Sequence, residues 1–376
     1  MRLFSNTIYT TIFLLACHSV VAQTFVGLAT TSGKIAKHTS KINYDPPPHS
    51  ISFELQYLKQ TQGTRYWQQA FGKPMVGLLG VANLYRDSII GSTYVIAPCI
   101  QYDIVKYRQW KLTTRLAAGP AMATQFWQRT SIGDTFANYL GSRLNMFGQL
   151  AVAIQYSPNA RTQLFAGGSL NHVSNGAIRK PNLGVNLVGV YAGARYAISE
   201  AVPSGESFVR RKSSWGIDVR AAISAAEYGY GNGPLLPFYY GAVLLSYKLR
   251  QKHKLYCGFD YEYSTKLNYF IQLYNQDVTN LRWQSSFTSF VVGNEIMLGK
   301  FSIPLQIGVY LNNEAFRIKP FYQRFGVMYH PFAYKSKHVL HGLYSGFTLK
   351  SNGSVADYID WQVAYHFPLT RKIIVK

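Results

Sequence analysis

LNMFGQLAVAIQY at 144–156, SPNA at 157–160 and TQLFAGGSL at 162–170 decide the fold. In an extended chain, neighbouring side chains point to opposite faces. Two alternating runs of about ten residues, joined by a short turn, are the signature of a hairpin in a transmembrane β-barrel. The pattern recurs before this hairpin at Ile51–Lys59, Met75–Leu84, Tyr94–Val105 and Leu112–Gln125. After it come Leu187–Ile198, Trp215–Ala225, Tyr239–Arg250, Leu255–Ser264 and Phe287–Leu298, then Phe301–Leu311, Phe321–His330, Val339–Leu349 and Tyr358–Pro368. A bacterial single-chain barrel has an even number of strands. Thr24–Thr31 supplies the missing member of an otherwise odd series, so about 16 strands are expected, with 14 as the alternative.

Composition agrees. Only 14% of residues are charged, well below the roughly 25% of a soluble domain, while 15% are aromatic, including 29 Tyr. Such a mixture suits side chains that alternate between lipid and a polar lumen. Trp67, Trp127, Trp215, Trp283 and Trp361 are expected in interfacial girdles. The net charge of +22 fits rims that meet an anionic leaflet; no nucleic-acid module accompanies it. Cys99 and Cys257 lie far apart in sequence and form no disulfide framework, and His338 and His341 are expected on opposite faces of a strand, which rules out a metal pair.

At the N-terminus, Arg2 precedes an apolar run and Val20-Val21-Ala22, which predicts a signal peptide over 1–22 and export to the outer membrane. Lipid attachment at Cys17 is the alternative. Residues 23–376 are expected to form a single antiparallel all-β outer-membrane barrel, with Ala201–Lys212 connecting its halves. Two successive eight-strand barrels are the less simple arrangement. Short turns such as Ser157–Ala160 belong on the periplasmic side, and longer connections such as Trp127–Gly141 outside. That assignment puts the hairpin at 172–186 on the outer surface.

This hairpin, within SLNHVSNGAIRKPNLGVN at 169–186, carries the chemistry. His172 and Ser174 share one face of a strand, as a base and its nucleophile must. Taken alone, the pair reads as two polar residues ending a strand. The surrounding residues change that reading: HVSNGAIRKPNLGVN, with the weaker ANYLGSRLN at 137–145, resembles the outer-membrane lipid A 3-O-deacylases, in particular acyloxyacyl-hydrolase-like members of Bacteroidetes type. The resemblance covers roughly residues 50–198; nothing similar is recognised over 199–376.

The resemblance implies an ester hydrolase acting on lipid A of lipopolysaccharide, without metal or organic cofactor, with Ser174 as nucleophile and His172 as general base. The family's third residue, a Glu fourteen positions after the His, is Asn186 here. Three outcomes follow: a dyad assisted by Asn186, a carboxylate recruited from Glu54, Asp218, Glu262 or Asp360, or a site of little activity. Asn175, Gly176 and Asn182 are candidates for oxyanion stabilisation, or equally for shaping the loop. Arg179 and Lys180 are candidates for lipid phosphates. The competing class is a non-catalytic, porin-like or structural barrel that keeps the hairpin. Homodimerisation is left open.

Overall fold

The computed structural model describes residues 23–369 apart from 43, 131–132, 135–137, 201–212, 230, 251, 275–278, 314–315, 318, 334–337 and 354. The signal-peptide expectation and the Ala201–Lys212 connection lie outside the described residues. The first ten strands are β1 Thr24–Ile35, β2 Ser50–Gln60, β3 Met75–Asp87, β4 Gly91–Tyr107, β5 Trp110–Ala123, β6 Arg129–Thr130, β7 Gly133–Asp134, β8 Leu144–Tyr156, β9 Thr162–Ser174 and β10 Val185–Ala197. Eight more follow: β11 Ser214–Glu227, β12 Leu235–Leu249, β13 His253–Ser264, β14 Ser286–Leu298, β15 Phe301–Tyr310, β16 Phe321–Tyr329, β17 Leu343–Asn352 and β18 Val355–Pro368.

The strands close into two barrels of eight, not one of sixteen. β10 returns to β1 in an antiparallel register running from Phe25↔Ala197 to Ile35↔Leu187. β11 closes on β18 from Gly216↔Pro368 to Ser224↔Asp360. The total of sixteen barrel strands stands, and the opening strand at Thr24 is present; the single ring over 23–376 is corrected. Alternation and turn length specify which chain neighbours pair. Ring closure is a pairing across more than a hundred residues, and both arrangements satisfy the same local pattern. The β6–β7 ribbon lies apart from either barrel.

The deciding stretch behaves as its alternation requires. Along β8, Leu144, Met146, Leu150, Val152 and Ile154 are exposed on the outer wall, while Asn145, Phe147, Gln149, Ala151, Ala153 and Gln155 are buried in the lumen. An eight-stranded ring is just wide enough for side chains to fill it. In the first barrel, buried Arg115 pairs with Glu54 at 2.7 Å and donates to Gln149 at 2.8 Å. In the second, Lys254 bridges Asp218 (2.9 Å) and Glu295 (2.7 Å), Lys350 meets Glu262 (2.6 Å), and Arg324 meets Asp360. Tyrosine rings at 240, 322 and 358 lie beneath the Arg324 guanidinium. Both lumens are filled by side chains, with these ion pairs set among buried apolar clusters.

Both barrels begin and end on one side. Ile198 N–H donates to Thr24 O at 2.8 Å, Gln23 Nε2 to Ala160 O at 2.6 Å, and Leu369 N–H to Trp215 O at 3.0 Å. This is the side of the short Ser157–Ala160 turn, the one expected from the sequence to be periplasmic, although the longer connection from Thr61 to Pro74 lies there too. The connection between β9 and β10 is at the opposite end, the one expected to face outward.

Two local expectations change. The segment expected as a strand from Val339 starts as a tight 3-10 turn, Val339–Gly342, capped by His338, whose Nδ1 accepts from Leu340 N–H. His338 and His341 are thus turn residues, and β17 starts only at Leu343. Trp215, Trp283 and Trp361 are half exposed as girdle residues should be, but Trp127 is buried. Cys99 and Cys257 are both free, one in each barrel.

Candidate active site

The outward row of β9, Leu164, Ala166, Gly168 and Leu170, is exposed to the barrel's surroundings. Two more steps of two residues bring the same row to His172 and Ser174 at the outer end. β10 runs back beside β9 with Asn186 directly opposite His172. All three side chains therefore sit on the outward-facing wall, at the rim opposite the Ser157–Ala160 turn.

His172 Nε2 lies 2.9 Å from Ser174 Oγ, and His172 Nδ1 lies 2.6 Å from Asn186 Oδ1. An amide oxygen can only accept, so Nδ1 carries the ring hydrogen and Nε2 is left as the acceptor facing the serine hydroxyl. That is the tautomer a general base needs. Asn186 is itself oriented: its Nδ2 is 2.8 Å from Nδ1 of His38, in the connection between β1 and β2. With its amino group given to His38, the amide turns its oxygen toward His172. His38 has no fixed spacing to the hairpin and stands in a polar loop, so no sequence signal marked it.

The two resembling segments are neighbours in space. Leu183 N–H donates to Asn138 O (3.2 Å) and Gly184 N–H to Tyr139 O (2.8 Å). Gly184 has φ +79°, and a Cβ there would stand 2.8 Å from His172 Cε1. Only glycine allows both this backbone conformation and the close approach to the ring. Asn175 is buried and holds the loop together, its Nδ2 donating to Ser142 Oγ (2.8 Å) and Arg179 O (3.0 Å). The Oδ1 of Asn182 accepts from Asn175 N–H at 3.2 Å. Gly176 is buried where a Cβ would strike Ile359 of the second barrel.

Arg179 is exposed, 3.8 Å from the Glu227 carboxylate. Lys180 is half-buried, and burial together with the neighbouring Lys266 ammonium brings its pKa down to about 8. The four carboxylates considered for His172 are all buried in the lumens, engaged by Arg115, Lys254, Lys350 and Arg324. Asn186 is thus what the imidazole meets, and the geometry is that of an amide-assisted dyad.

Residues 51–195 match the family described as lipid A 3-O-deacylase (PagL), and residues 215–369 match the acyloxyacyl hydrolase C-terminal domain. The chain belongs to the lipid A 3-O-deacylase family. It is a carboxylic-ester hydrolase of the lipid A deacylase type. Each matched region falls within one barrel, the first starting at β2, so the second half, in which no resemblance was recognised, is also a family element. Among solved structures, the crystal structure of the outer membrane enzyme PagL is 15% identical over 45% of this chain and 97% of its own, with a TM-score of 0.30. A Rh. blastica porin mutant is 9% identical over 92% and 100%, with a TM-score of 0.19. CdiB from Acinetobacter baumannii is 9% identical over 92% and 60%, also with a TM-score of 0.19. No curated protein matches the chain.

Proposed function

We propose that the protein removes an acyl chain from lipid A in the outer leaflet by a Ser174–His172 mechanism. The observation that carries this reading is the chain of contacts from Ser174 Oγ through the His172 ring to Asn186 Oδ1, at the outer rim of the lipid-facing wall. Lipid A presents its acyl esters at that level. His172 Nε2 takes the proton of Ser174 as Oγ attacks the ester carbonyl. The tetrahedral intermediate collapses, His172 returns the proton to the departing sugar hydroxyl, and the acyl group remains on Ser174. Water, deprotonated by the same nitrogen, then releases the fatty acid and restores the serine.

Asn186 keeps the imidazole in the useful tautomer but brings no negative charge to the imidazolium that forms. In serine proteases the comparable acid-to-amide exchange costs about 10⁴ in turnover, chiefly through the wrong tautomer. Here His38 orients the amide, so that part of the loss is avoided. Arg179 and Lys180, on the loop beside the nucleophile, are suited to the substrate's phosphates. Gly176, Asn175 and Asn182 hold the loop that follows the nucleophile. The filled lumens favour an enzyme over a porin-like barrel.

The test is lipid A deacylation followed by mass spectrometry. Ser174→Ala and His172→Ala are each expected to abolish nearly all cleavage with the barrels folded, and the double variant to be little worse than either. Deacylation at the wild-type rate by Ser174→Ala would exclude the serine mechanism.

A further inference from the structure

Among the described residues, the second barrel contributes none to the Ser174–His172–Asn186 chain, yet the loop beside that chain is docked on it at three points. Gly176 packs so closely on Ile359 of β18 that a Cβ would come within 2.3 Å of its side chain. Glu227, the last residue of β11, donates its backbone N–H to Ile178 O at 3.1 Å. Its carboxylate accepts the Lys180 N–H through Oε2 at 2.6 Å, and Oε1 faces Arg179 Nη1 at 3.8 Å. Glu227 is 1% exposed, and Oε1 is buried without a hydrogen bond. A carboxylate is buried in this way only where it is held by partners, and those the structure gives it lie in the loop of the first barrel. The loops also meet farther along, where Gly231 lies against the Trp127 ring.

We propose that Glu227 is a positioning residue for catalysis, and that the second barrel acts as a built-in brace fixing the 175–184 loop against the nucleophile. This rests on the serine-hydrolase reading of the site. The loop begins one residue after Ser174 and ends two before Asn186, so any sway in it is transmitted to both. A displacement of about 1 Å at reacting groups costs on the order of 100-fold in rate. A short, charge-assisted hydrogen bond at the loop's far side restrains such sway.

The experiment compares full-length wild type with Glu227→Ala, Glu227→Asp and Glu227→Gln, measuring kcat and KM on lipid A and amide hydrogen exchange over 175–184. Glu227→Ala is expected to lower kcat about 10- to 100-fold with a smaller change in KM. It should also speed exchange at Lys180 about tenfold or more. Glu227→Gln, which keeps an acceptor for Lys180 N–H, should recover most of both. Glu227→Asp, whose carboxylate is withdrawn by one methylene, should fall between them and serves if the alanine variant does not assemble. Unchanged exchange, or faster exchange with kcat at the wild-type level, overturns the proposal. Exchange and deacylation are also read in a Ser174→Ala background, so a failed brace is distinguishable from a failed serine mechanism: the first leaves exchange unmoved by the Glu227 substitutions, the second leaves Ser174→Ala as active as wild type.

Discussion

At position 186 this chain has an amide where the resemblance implies a carboxylate, and the amide is useful only if the correct end faces His172. His38 supplies that choice by taking the Nδ2 group at 2.8 Å. His38→Ala leaves the amide free to turn over and should reduce kcat by about fivefold, the scale of one neutral hydrogen bond. Asn186→Glu places a charge beside the developing imidazolium without competition, since Glu54, Asp218, Glu262 and Asp360 are engaged elsewhere. It should raise kcat by roughly tenfold or more, and Asn186→Ala should lower it. Deacylation rates unchanged in both 186 variants would remove Asn186 from the site. Lys180, brought down to about 8, is charged below that pH and neutral above it. If it meets a lipid phosphate, kcat/KM should decline as pH rises through about 8, and Lys180→Arg should hold it level. The same decline in Lys180→Gln would assign it to another group.

The β9–β10 hairpin turns residue spacing into a site. Its two-residue period sets His172 and Ser174 on one face, and its register sets Asn186 opposite His172. The first was legible in the sequence, because strand geometry is local; position 186 entered there only through the resemblance, and its register is a finding of the structure. Gly184 was legible only as a residue suited to a tight turn; that it makes room for the imidazole depends on how the loop folds back. Gly184→Ala would force a Cβ to within 2.8 Å of His172 Cε1 on a backbone of positive φ. The ring must shift, and kcat should fall about 10- to 100-fold, with KM little changed. A variant with wild-type kcat and intact barrels would show that the ring has slack.

Over the whole molecule, sixteen membrane-type strands make two narrow rings where one wide ring was expected. The difference bears on function. A sixteen-stranded ring leaves an aqueous channel, whereas eight strands enclose only their own side chains. Here those include buried Arg115, Arg220, Lys254, Arg324 and Lys350 with acidic partners. Purified protein in a planar bilayer should therefore give no steady conductance of porin size. Stable single-channel steps would overturn the packed-lumen description.

The sequence by itself determined most of the β-strands, their alternating faces, and the pairing of His172 with Ser174. Each of these follows from a period of two residues or from a turn a few residues long. Only the tertiary structure decided how many rings the strands close into, that Asn186 is what the imidazole meets, that His38 turns the amide, and that Glu227 grips the catalytic loop. Those contacts join residues from 14 to 148 positions apart. No spacing rule operates over most of that range, so partners are chosen by the closed sheet and by what remains to satisfy each polar group once the sheet has closed.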